Sequence, residues 1–360
     1  MMQLGTPLQQ RSASRAISEE DLLERVQEEL QAYRDLGLLD GSEKPLISKW
    51  ERLVVEEPRR FIRPDGTLDP VRLRNFRRER IFIPDVPTFD PQSLDPRNYL
   101  GGGRRGSLRM LVECLELLQA RGYDALLKRY PCHPAGNPYV FEAQGYRVTH
   151  RWFKHIYFIG LLNEVLGSRL TEPLISLDIG SGYGIFSSLL RQEYPRTRCV
   201  LVDFPEQLLL ALYFLGRCFP QSRVAGIREV AEQRSITRSF IEAYDFVLVP
   251  CAYYDRLESG AGDLVTNFAS FGEMTPAWFH DYIDAPAFTG AKWLFTVNRI
   301  QSRPTYDTDL TVLDYPVWDP EKRLHFAVCP AFSNYYYERR RFVLMERIAF
   351  PPYFEYLGKI

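Results

Sequence analysis

Apolar residues in the first half of the chain recur at the spacing of a helix face. Ser18 is a typical helix cap, and the pattern after it predicts a helix that ends near Gly37 or Gly41. The residues that carry this pattern are Leu22, Leu23, Val26, Leu30 and Tyr33. Two further patterns of this kind predict helices from Ser107 to Arg121 and from His150 to Leu166. The N-terminal part of the chain is therefore predicted to be helical.

The stretch from residue 57 to 105 interrupts these patterns. It holds seven prolines, which block regular hydrogen bonding, and it predicts extended connections that wrap a helical body. Its last residues, Gly101 to Arg105, lack the Lys-Ser/Thr ending of a phosphate-binding loop, so a flexible turn is the better interpretation. A cluster of arginines in this stretch suits either a charged helix face or a site for a phosphorylated carrier. Its members are Arg72, Arg74, Arg77, Arg78 and Arg80.

From residue 173 the pattern changes to short apolar runs separated by helical stretches. These runs are Leu174–Ile179, Cys199–Val202, Phe246–Val249, Leu264–Phe268 and Trp293–Val297. Fully apolar strands that alternate with helices predict a parallel sheet covered on both faces. Two later runs, near His325–Cys329 and Phe342–Ile348, predict an antiparallel hairpin at the sheet edge. The predicted fold class is α/β, with a Rossmann-like, mostly parallel sheet behind a helical N-terminal domain.

Composition excludes several classes of partner and site. The 45 basic and 46 acidic residues give a net charge of −1, which argues against nucleic acid and against an acidic membrane surface. The six cysteines are scattered without a CxxC pair, which excludes a disulfide framework and predicts a cytoplasmic protein. No apolar run approaches the roughly 20 residues that span a bilayer. The first 17 residues lack the apolar core of a signal peptide and are predicted to be a disordered tail.

The strongest chemical signal follows the first predicted strand, where residues 177–184 read LDIGSGYG and open a helix. Glycines at this place let the backbone turn tightly and let a ligand approach closely. The second strand ends at Asp203, 23 residues after Gly180, where a carboxylate can accept both hydroxyls of a ribose. Together these features predict a nucleoside-binding site.

The details of the loop favour S-adenosylmethionine (SAM) over a dinucleotide. A dinucleotide motif needs a third glycine where this chain has Ile185. Asp178 stands two residues before Gly180 and would repel a pyrophosphate, but it would attract the ammonium of SAM directly or through a water. SAM also offers a carboxylate to the loop amides. The alternative is a glycine turn that only tightens a strand–helix corner.

At these residues the sequence resembles the class I SAM-dependent methyltransferases. Ser176–Leu190 and Val200–Leu208 look like the first motif of that class and its successor. Asp263–Met274 and Phe295–Arg299 resemble a family of sugar O-methyltransferases within the class. The similarity extends over roughly residues 70–350 and is tightest in the predicted sheet.

The resemblance implies a domain organisation and a cofactor site. It implies a tail over residues 1–17, a helical N-terminal domain over 18–148 and a methyltransferase domain over 149–360, with SAM as the cofactor. The cofactor contacts that it implies are Asp178, Gly180, Ser181, Gly182, Gly184, Asp203, Phe204 and Asn267.

The acceptor side is less specific in the sequence. Glu273 follows the fourth strand at the carboxyl edge of the sheet and is the first candidate for a general base, with a helix N-terminal acid as an equal alternative. His150 precedes an apolar helix and is the second candidate, although a capping or surface histidine fits the pattern better. Ser270 and Arg299 are candidate substrate contacts, with a helix cap and a structural ion pair as their alternatives.

No metal site is predicted, because Asp307, Asp309 and Asp314 suit a solvated loop better than a Mg²⁺ or Ca²⁺ site. The predicted function is methylation of a hydroxyl on a sugar or a glycosylated or nucleotide-sugar acceptor, in polysaccharide or natural product biosynthesis. A homo-oligomer is compatible with these features. The alternatives are a methyltransferase for an aromatic or peptide-derived natural product, and a catalytically silent methyltransferase-like partner protein.

Overall fold

The computed structural model describes residues 16–39, 58–78, 102–170, 173–302, 308–332, 335–339, 345–349 and 351–360. Its first half is helical where it is described. Helices α1 to α5 are Glu19–Asp35, Pro70–Arg74, Gly102–Arg121, Asp124–Arg129 and His150–Leu166. A short antiparallel hairpin of β1 (Phe141–Ala143) and β2 (Tyr146–Val148) precedes α5. The predicted first helix is confirmed, because the Ser18 hydroxyl caps α1 by accepting a hydrogen bond of 3.1 Å from the Asp21 amide.

The glycine–arginine run after residue 100 corrects one prediction. Helix α3 begins at Gly102, five residues before the predicted start at Ser107, so residues 102–105 are helical and the expected flexible turn was wrong. Glycine has a low helix propensity, which is why the sequence pattern placed the start too late. Gly101 and the residues from 79 to 100 lie outside the described residues.

In the described part of the second half, eight strands form one sheet in the order β5-β6-β4-β3-β7-β8-β12-β9. Strands β3 to β9 and β12 are Ile175–Ile179, Arg198–Asp203, Val224–Ala225, Phe246–Pro250, Leu264–Phe268, Trp293–Arg299, Arg323–Val328 and Tyr353–Lys359. All neighbours pair in parallel except β12, which runs antiparallel to both β8 and β9. One reversed strand at this position is the arrangement of the Rossmann-like class I methyltransferase fold. The predicted fold class is therefore confirmed.

Helices cover both faces of this sheet. Helices α6 to α11 are Ile185–Glu193, Pro205–Cys218, Ile227–Ala231, Arg238–Glu242, Pro276–Ile283 and Pro286–Thr289. Helix α7 is apolar nearly all round, because α1 covers the side that faces away from the sheet. Every helix among the described residues is too short or too polar to cross a lipid bilayer.

The antiparallel strand pairs of the structure differ from the predicted hairpin. Strand β9 does pair with an antiparallel neighbour, but that neighbour is β12, whereas Met345–Ala349 (β11) pairs with Tyr335–Arg339 (β10) in a separate two-stranded sheet. The sequence pattern missed β12 because Glu355 interrupts its apolar run. This carboxylate is fully buried, and its two oxygens share the hydroxyl proton of Tyr157 at 3.0 and 3.1 Å. One of them also lies 3.0 Å from Nε2 of His325, and these contacts replace the water that the carboxylate gives up.

The turn that follows α2 packs directly on the loop that follows β3. The Tyr183 ring is 2% exposed and lies 5.0 Å from Phe76 and 5.1 Å from Phe214, measured between ring centroids. Arg77 is buried beside it and donates hydrogen bonds to the carbonyls of His133 (2.6 Å) and Ala135 (3.1 Å). The first half of the chain thus supports the loop from behind.

The arginine cluster predicted as one helix face is divided in the structure. Arg77 faces the interior, while Arg74 forms an ion pair of 3.3 Å with Glu19. The Arg78 guanidinium lies over the ring of Tyr139, 4.2 Å from its centroid, and Arg80 is outside the described residues. Arg74, Arg77 and Arg78 therefore do not lie together on one helix face.

Candidate active site

The loop after β3 contains three glycines in the left-handed region of the backbone. Their φ angles are +70° at Gly180, +55° at Gly182 and +84° at Gly184, which residues with a side chain adopt only at a cost. The space at Gly180 is also closed, since an added Cβ would lie 2.5 Å from the Cβ of Ser270. We call residues 180–184 the glycine turn. It opens α6 at the carboxyl edge of the sheet, where open α/β sheets bind ligands.

Asp203 ends β4 beside the glycine turn. One carboxylate oxygen accepts a hydrogen bond of 2.7 Å from the Gly182 amide, and the other accepts one of 2.8 Å from the Phe204 amide. The side chain stays partly exposed at the sheet edge. Burial raises the pKa of Asp203 to about 7, although both amides act in the opposite direction. A carboxylate fixed in this way keeps lone pairs for hydroxyl donors of a ligand.

Asp178 lies behind the glycine turn and is almost fully buried. Its two oxygens accept hydrogen bonds of 2.8 Å from the Thr266 hydroxyl and 3.0 Å from the Ser187 hydroxyl. Burial raises the pKa of Asp178 to about 7, against the effect of these two hydroxyls. Asp178 therefore links β3, β7 and α6 at the base of the turn.

Asn267 is fully buried beneath the site. Its amide group donates to the Ile179 carbonyl (2.8 Å), and its oxygen accepts from the Phe271 amide (3.1 Å) and from the Asn298 amide group (2.8 Å). These bonds tie together the carboxyl ends of three adjacent strands. Asn267 thus positions the residues around it and presents no surface of its own.

Three other predicted residues lie around the glycine turn. Ser181 belongs to the turn itself and is partly exposed. Ser270 packs on Gly180 and makes no side-chain cap bond to the 3₁₀ turn Phe271–Glu273 that follows it. Phe204 is half-buried, and its ring centroid lies 6.0 Å from that of Trp278. The structure therefore brings Ser181, Ser270 and Phe204 to the same edge as Asp203.

A short connection joins the end of α5 to the amino end of β3. The start of α5 therefore lies at the opposite end of the strand, at the carboxyl edge of the sheet. His150 is its first residue and is 4% exposed, and its Nε2 atom has no hydrogen-bond partner in the described part of the chain. Burial first, and then the neighbouring cations Lys154 and Arg151, hold the pKa of His150 well below its usual range. This imidazole is therefore neutral at pH 7.

An aromatic wall extends from the end of β7 to the reversed strand β12. Phe268 stacks on Phe158 with centroids 4.5 Å apart, and Phe332 stacks on Tyr353 at 4.0 Å. Phe158 and Phe332 join the two pairs at 6.2 Å. The sequence did not predict this wall, because its members come from four distant segments of the chain.

Cations lie on the far end of the aromatic wall. The Lys154 ammonium is 3.9 Å from the ring centroid of Phe332, and the Arg299 guanidinium carbon is 4.6 Å from that of Tyr353. Arg151 is one helical turn before Lys154, and its guanidinium carbon lies 5.8 Å from the ring centroid of Tyr183 in the glycine turn. We call Arg151, Lys154 and Arg299 the basic cluster. Only Arg299 was singled out from the sequence.

Glu273 also lies at this edge of the sheet. It ends the 3₁₀ turn after β7 and is partly exposed. Its charge, with that of Asp314, adds to the effect of burial that keeps the pKa of the Tyr315 hydroxyl well above its usual range. Glu273 thus lies near Tyr315.

The predicted acidic loop shows no arrangement for a cation where it is described. Asp314 accepts hydrogen bonds from the amide (2.7 Å) and hydroxyl (3.1 Å) of Thr311, Asp309 is exposed, and Asp307 lies outside the described residues. Among the described residues, no group of three His, Cys, Asp or Glu side chains could hold a metal ion.

Comparisons with known proteins return methyltransferases among solved structures. No protein-family model matches the chain, and no curated protein matches it. The precorrin-6y C5,15-methyltransferase from Geobacter metallireducens aligns with 53% of this chain and 81% of its own, at 15% identity and a TM-score of 0.29. The mitomycin 7-O-methyltransferase MmcR aligns with 58% of this chain and 57% of its own, at 12% identity and a TM-score of 0.31. WbdD aligns with 65% of this chain and 48% of its own, at 16% identity and a TM-score of 0.36.

The chain thus spans less than two thirds of the length of MmcR and of WbdD. At these identities and TM-scores, none of the three proteins identifies the cofactor or the substrate of this chain.

Proposed function

We propose that this protein is a SAM-dependent O-methyltransferase that methylates a hydroxyl of a sugar, a glycosylated compound or a nucleotide sugar. One observation carries the proposal. A left-handed glycine turn and a partly exposed carboxylate, joined by the bond from the Gly182 amide to Asp203, lie at the ends of two adjacent parallel strands.

The donor set fits SAM better than it fits a phosphorylated cofactor. Asp203 offers acceptor lone pairs to ribose hydroxyls, and the exposed face of Phe204 lies next to it for a purine ring. The amides of the glycine turn suit the carboxylate of an amino acid. The ionised form of Asp203, at the sheet edge, would repel a pyrophosphate. SAM, when bound, supplies the methyl group on an electrophilic sulfonium.

The protein must then hold an acceptor oxygen in line and remove its proton. His150 is the candidate for the second task because of its place at this edge, with an Nε2 atom that has no hydrogen-bond partner within the described residues. Its lowered pKa makes it a weaker base than an ordinary histidine. Glu273, in the 3₁₀ turn after β7, is the alternative general base. Asn267 and Asp178 act as positioning residues, since both use their polar atoms to fix the strand ends.

The aromatic wall supports a second candidate function. Phe268 and Phe332, the two partly exposed rings of the wall, would also suit an aromatic or peptide-derived natural product. A catalytically silent partner protein is less well supported, because the turn has three left-handed glycines and the Gly182 amide bonds to Asp203. A cytoplasmic location and a homo-oligomeric state stay predictions.

The test is transfer of a labelled methyl group from SAM to a panel of sugars, nucleotide sugars and phenols. We expect transfer to at least one sugar or nucleotide sugar, with His150→Gln or Glu273→Gln removing most of the rate. Transfer to phenols alone would reject the sugar acceptor in favour of the second candidate. SAM binding without transfer to any acceptor would favour the silent partner.

A further inference from the structure

The buried position of Asp178 leaves one group of the cofactor without a side-chain acceptor. SAM carries an ammonium at its amino-acid end, and an ammonium donates hydrogen bonds to oxygen atoms. Asp178 was the candidate from the sequence, but it is only 2% exposed, and its oxygens accept hydrogen bonds from Thr266 and Ser187. Asn267 is fully buried, and its oxygen accepts two hydrogen bonds from within the protein. A side-chain acceptor for the ammonium therefore has to come from another residue at this edge.

Ser270 lies against the glycine turn with its hydroxyl. A Cβ added at Gly180 would overlap the Ser270 Oγ atom, so this hydroxyl borders the turn directly. Ser270 is partly exposed, and its side chain makes no cap bond to the 3₁₀ turn that follows. A serine hydroxyl can accept hydrogen bonds as well as donate one. Ser270 therefore offers, beside Gly180, the oxygen acceptor that Asp178 and Asn267 do not offer.

The backbone just before Ser270 is strained. Ala269 has a φ of +58°, in the left-handed region that is unfavourable for a residue with a Cβ. Asn137 and Gln144 also have positive φ angles, but each is next to a left-handed glycine, whereas Ala269 directly follows β7. Strained conformations persist where the surrounding structure enforces them, and they cluster at ligand sites. The left-handed turn at Ala269 thus directs Ser270 back onto Gly180.

We infer that the Ser270 hydroxyl accepts a hydrogen bond from the ammonium of SAM, and that Ala269 is the positioning residue that holds this hydroxyl against Gly180. This inference rests on the proposed function, because it assigns the amino-acid end of the same cofactor site. It moves Ser270 from the acceptor side to the cofactor side. Asp178 then acts on the ammonium through its charge and not through a direct hydrogen bond.

The experiment compares two ligands that differ only in the ammonium. Wild-type protein and Ser270→Ala are titrated in a calorimeter with S-adenosylhomocysteine and with its deamino analogue, which keeps the carboxylate. S-adenosylhomocysteine should bind wild type about 10–100-fold more tightly than the analogue does, the usual effect of a hydrogen bond to a charged group. Ser270→Ala should lose most of this difference by binding S-adenosylhomocysteine more weakly, and it should bind the analogue as wild type does.

Ser259→Ala is the matched control. Ser259 lies against Gly290 in the same way, since a Cβ added at Gly290 would overlap the Ser259 Oγ atom. These two residues precede β7 and β8, so they lie toward the amino edge of the sheet. The control variant should bind both ligands as wild type does. A loss of affinity in Ser259→Ala as large as that in Ser270→Ala would overturn the inference, because no contact with the ligand would then be needed.

Other outcomes also overturn the inference. Equal losses for both ligands in Ser270→Ala would mean that Ser270 only shapes the turn, and no loss would mean that it has no part in binding. If Ser270→Ala does not fold, Ser270→Cys replaces it, since a thiol keeps the size of the side chain but is a weak acceptor. If neither S-adenosylhomocysteine nor 5′-methylthioadenosine, which lacks the amino-acid end, binds wild type, the proposed function fails instead.

Ala269→Gly tests the positioning of the hydroxyl. Glycine adopts a positive φ without strain, so the urea midpoint of unfolding should rise. The freer backbone should lower the affinity for S-adenosylhomocysteine severalfold and leave that for the deamino analogue unchanged. An unchanged midpoint would contradict the strain at Ala269, and unchanged affinity for S-adenosylhomocysteine would contradict its positioning role.

Discussion

The two sides of the candidate site differ in which groups form them, backbone on one side and side chains on the other. The cofactor side consists mainly of backbone, with three left-handed glycines and two amides that hold Asp203. The acceptor side consists of side chains from α5, β7, β8, β12 and the segment that contains Phe332. A backbone site depends on a few positions where a side chain is not tolerated. A side-chain site depends on packing between distant segments, so it can change its ligand while the fold stays the same.

The largest expected effect is at the centre of the cofactor side. Gly180→Ala should lower the free energy of unfolding by about 3 kcal/mol, since it combines an unfavourable φ with a clash against Ser270. It should also abolish binding of S-adenosylhomocysteine. Gly260→Ala is the matched control, because Gly260 has a similar φ of +73° but open space around it. Urea unfolding of Gly260→Ala should show a loss of only about 1 kcal/mol in the free energy of unfolding. Equal losses at both positions would mean that the clash with Ser270 does not contribute.

The next effect tests whether Asp203 binds the ligand or only shapes the turn. Asp203→Ala should weaken binding of S-adenosylhomocysteine by about 10–100-fold, because hydroxyl contacts to a carboxylate are lost. Calorimetry on a variant that is shown to be folded by circular dichroism provides the measurement. Unchanged affinity in that variant would mean that the ribose does not lie at Asp203.

Proton release provides a finer test of the cofactor side. Asp178 and Asp203 both have pKa values raised to about 7, so a ligand that stabilises their charged forms must displace protons near neutral pH. Binding of S-adenosylhomocysteine should release roughly one proton at pH 6 to 7 and less at higher pH. Calorimetry in buffers of different ionisation enthalpy measures this number, and Asp178→Asn should reduce it. Proton uptake would contradict the assignment of both carboxylates.

The smallest expected effect concerns the acceptor side. His150 has a lowered pKa in the folded protein, so the unfolded chain binds a proton below about pH 6.5 that the folded chain does not. This residue should therefore contribute a fall in the free energy of unfolding of up to about 1.4 kcal/mol per pH unit below that point. His133 contributes in the same direction, and Asp178 and Asp203 contribute in the opposite direction. The difference in free energy of unfolding between wild type and His150→Gln should therefore change with pH by this amount, while the difference between wild type and His280→Gln, on the exposed face of α10, should not. Urea unfolding between about pH 5 and 7 measures this difference. The same pH dependence in both variants would contradict the burial of His150.

The same contrast explains which parts of the molecule the sequence predicted. The glycine turn and Asp203 lie in contiguous segments with fixed spacing, so their geometry can be derived from the residues alone. Five of the six strands that pair in parallel were predicted for a similar reason, since each is a short apolar run, whereas β5 has only two residues. Strand β12 was missed because Glu355 interrupts its pattern, and that carboxylate is accommodated by Tyr157 and His325, which are distant in sequence. Lys154 was missed because its environment depends on Phe332 and Arg299, which are far away in sequence.

A crystal structure of the protein with S-adenosylhomocysteine tests the central assignment most directly. We predict that the amino-acid end of the ligand lies on residues 180–184 and that both ribose hydroxyls lie within hydrogen-bond distance of the Asp203 carboxylate. A ligand bound at another place, or no ligand in crystals grown at saturating concentration, would contradict the account.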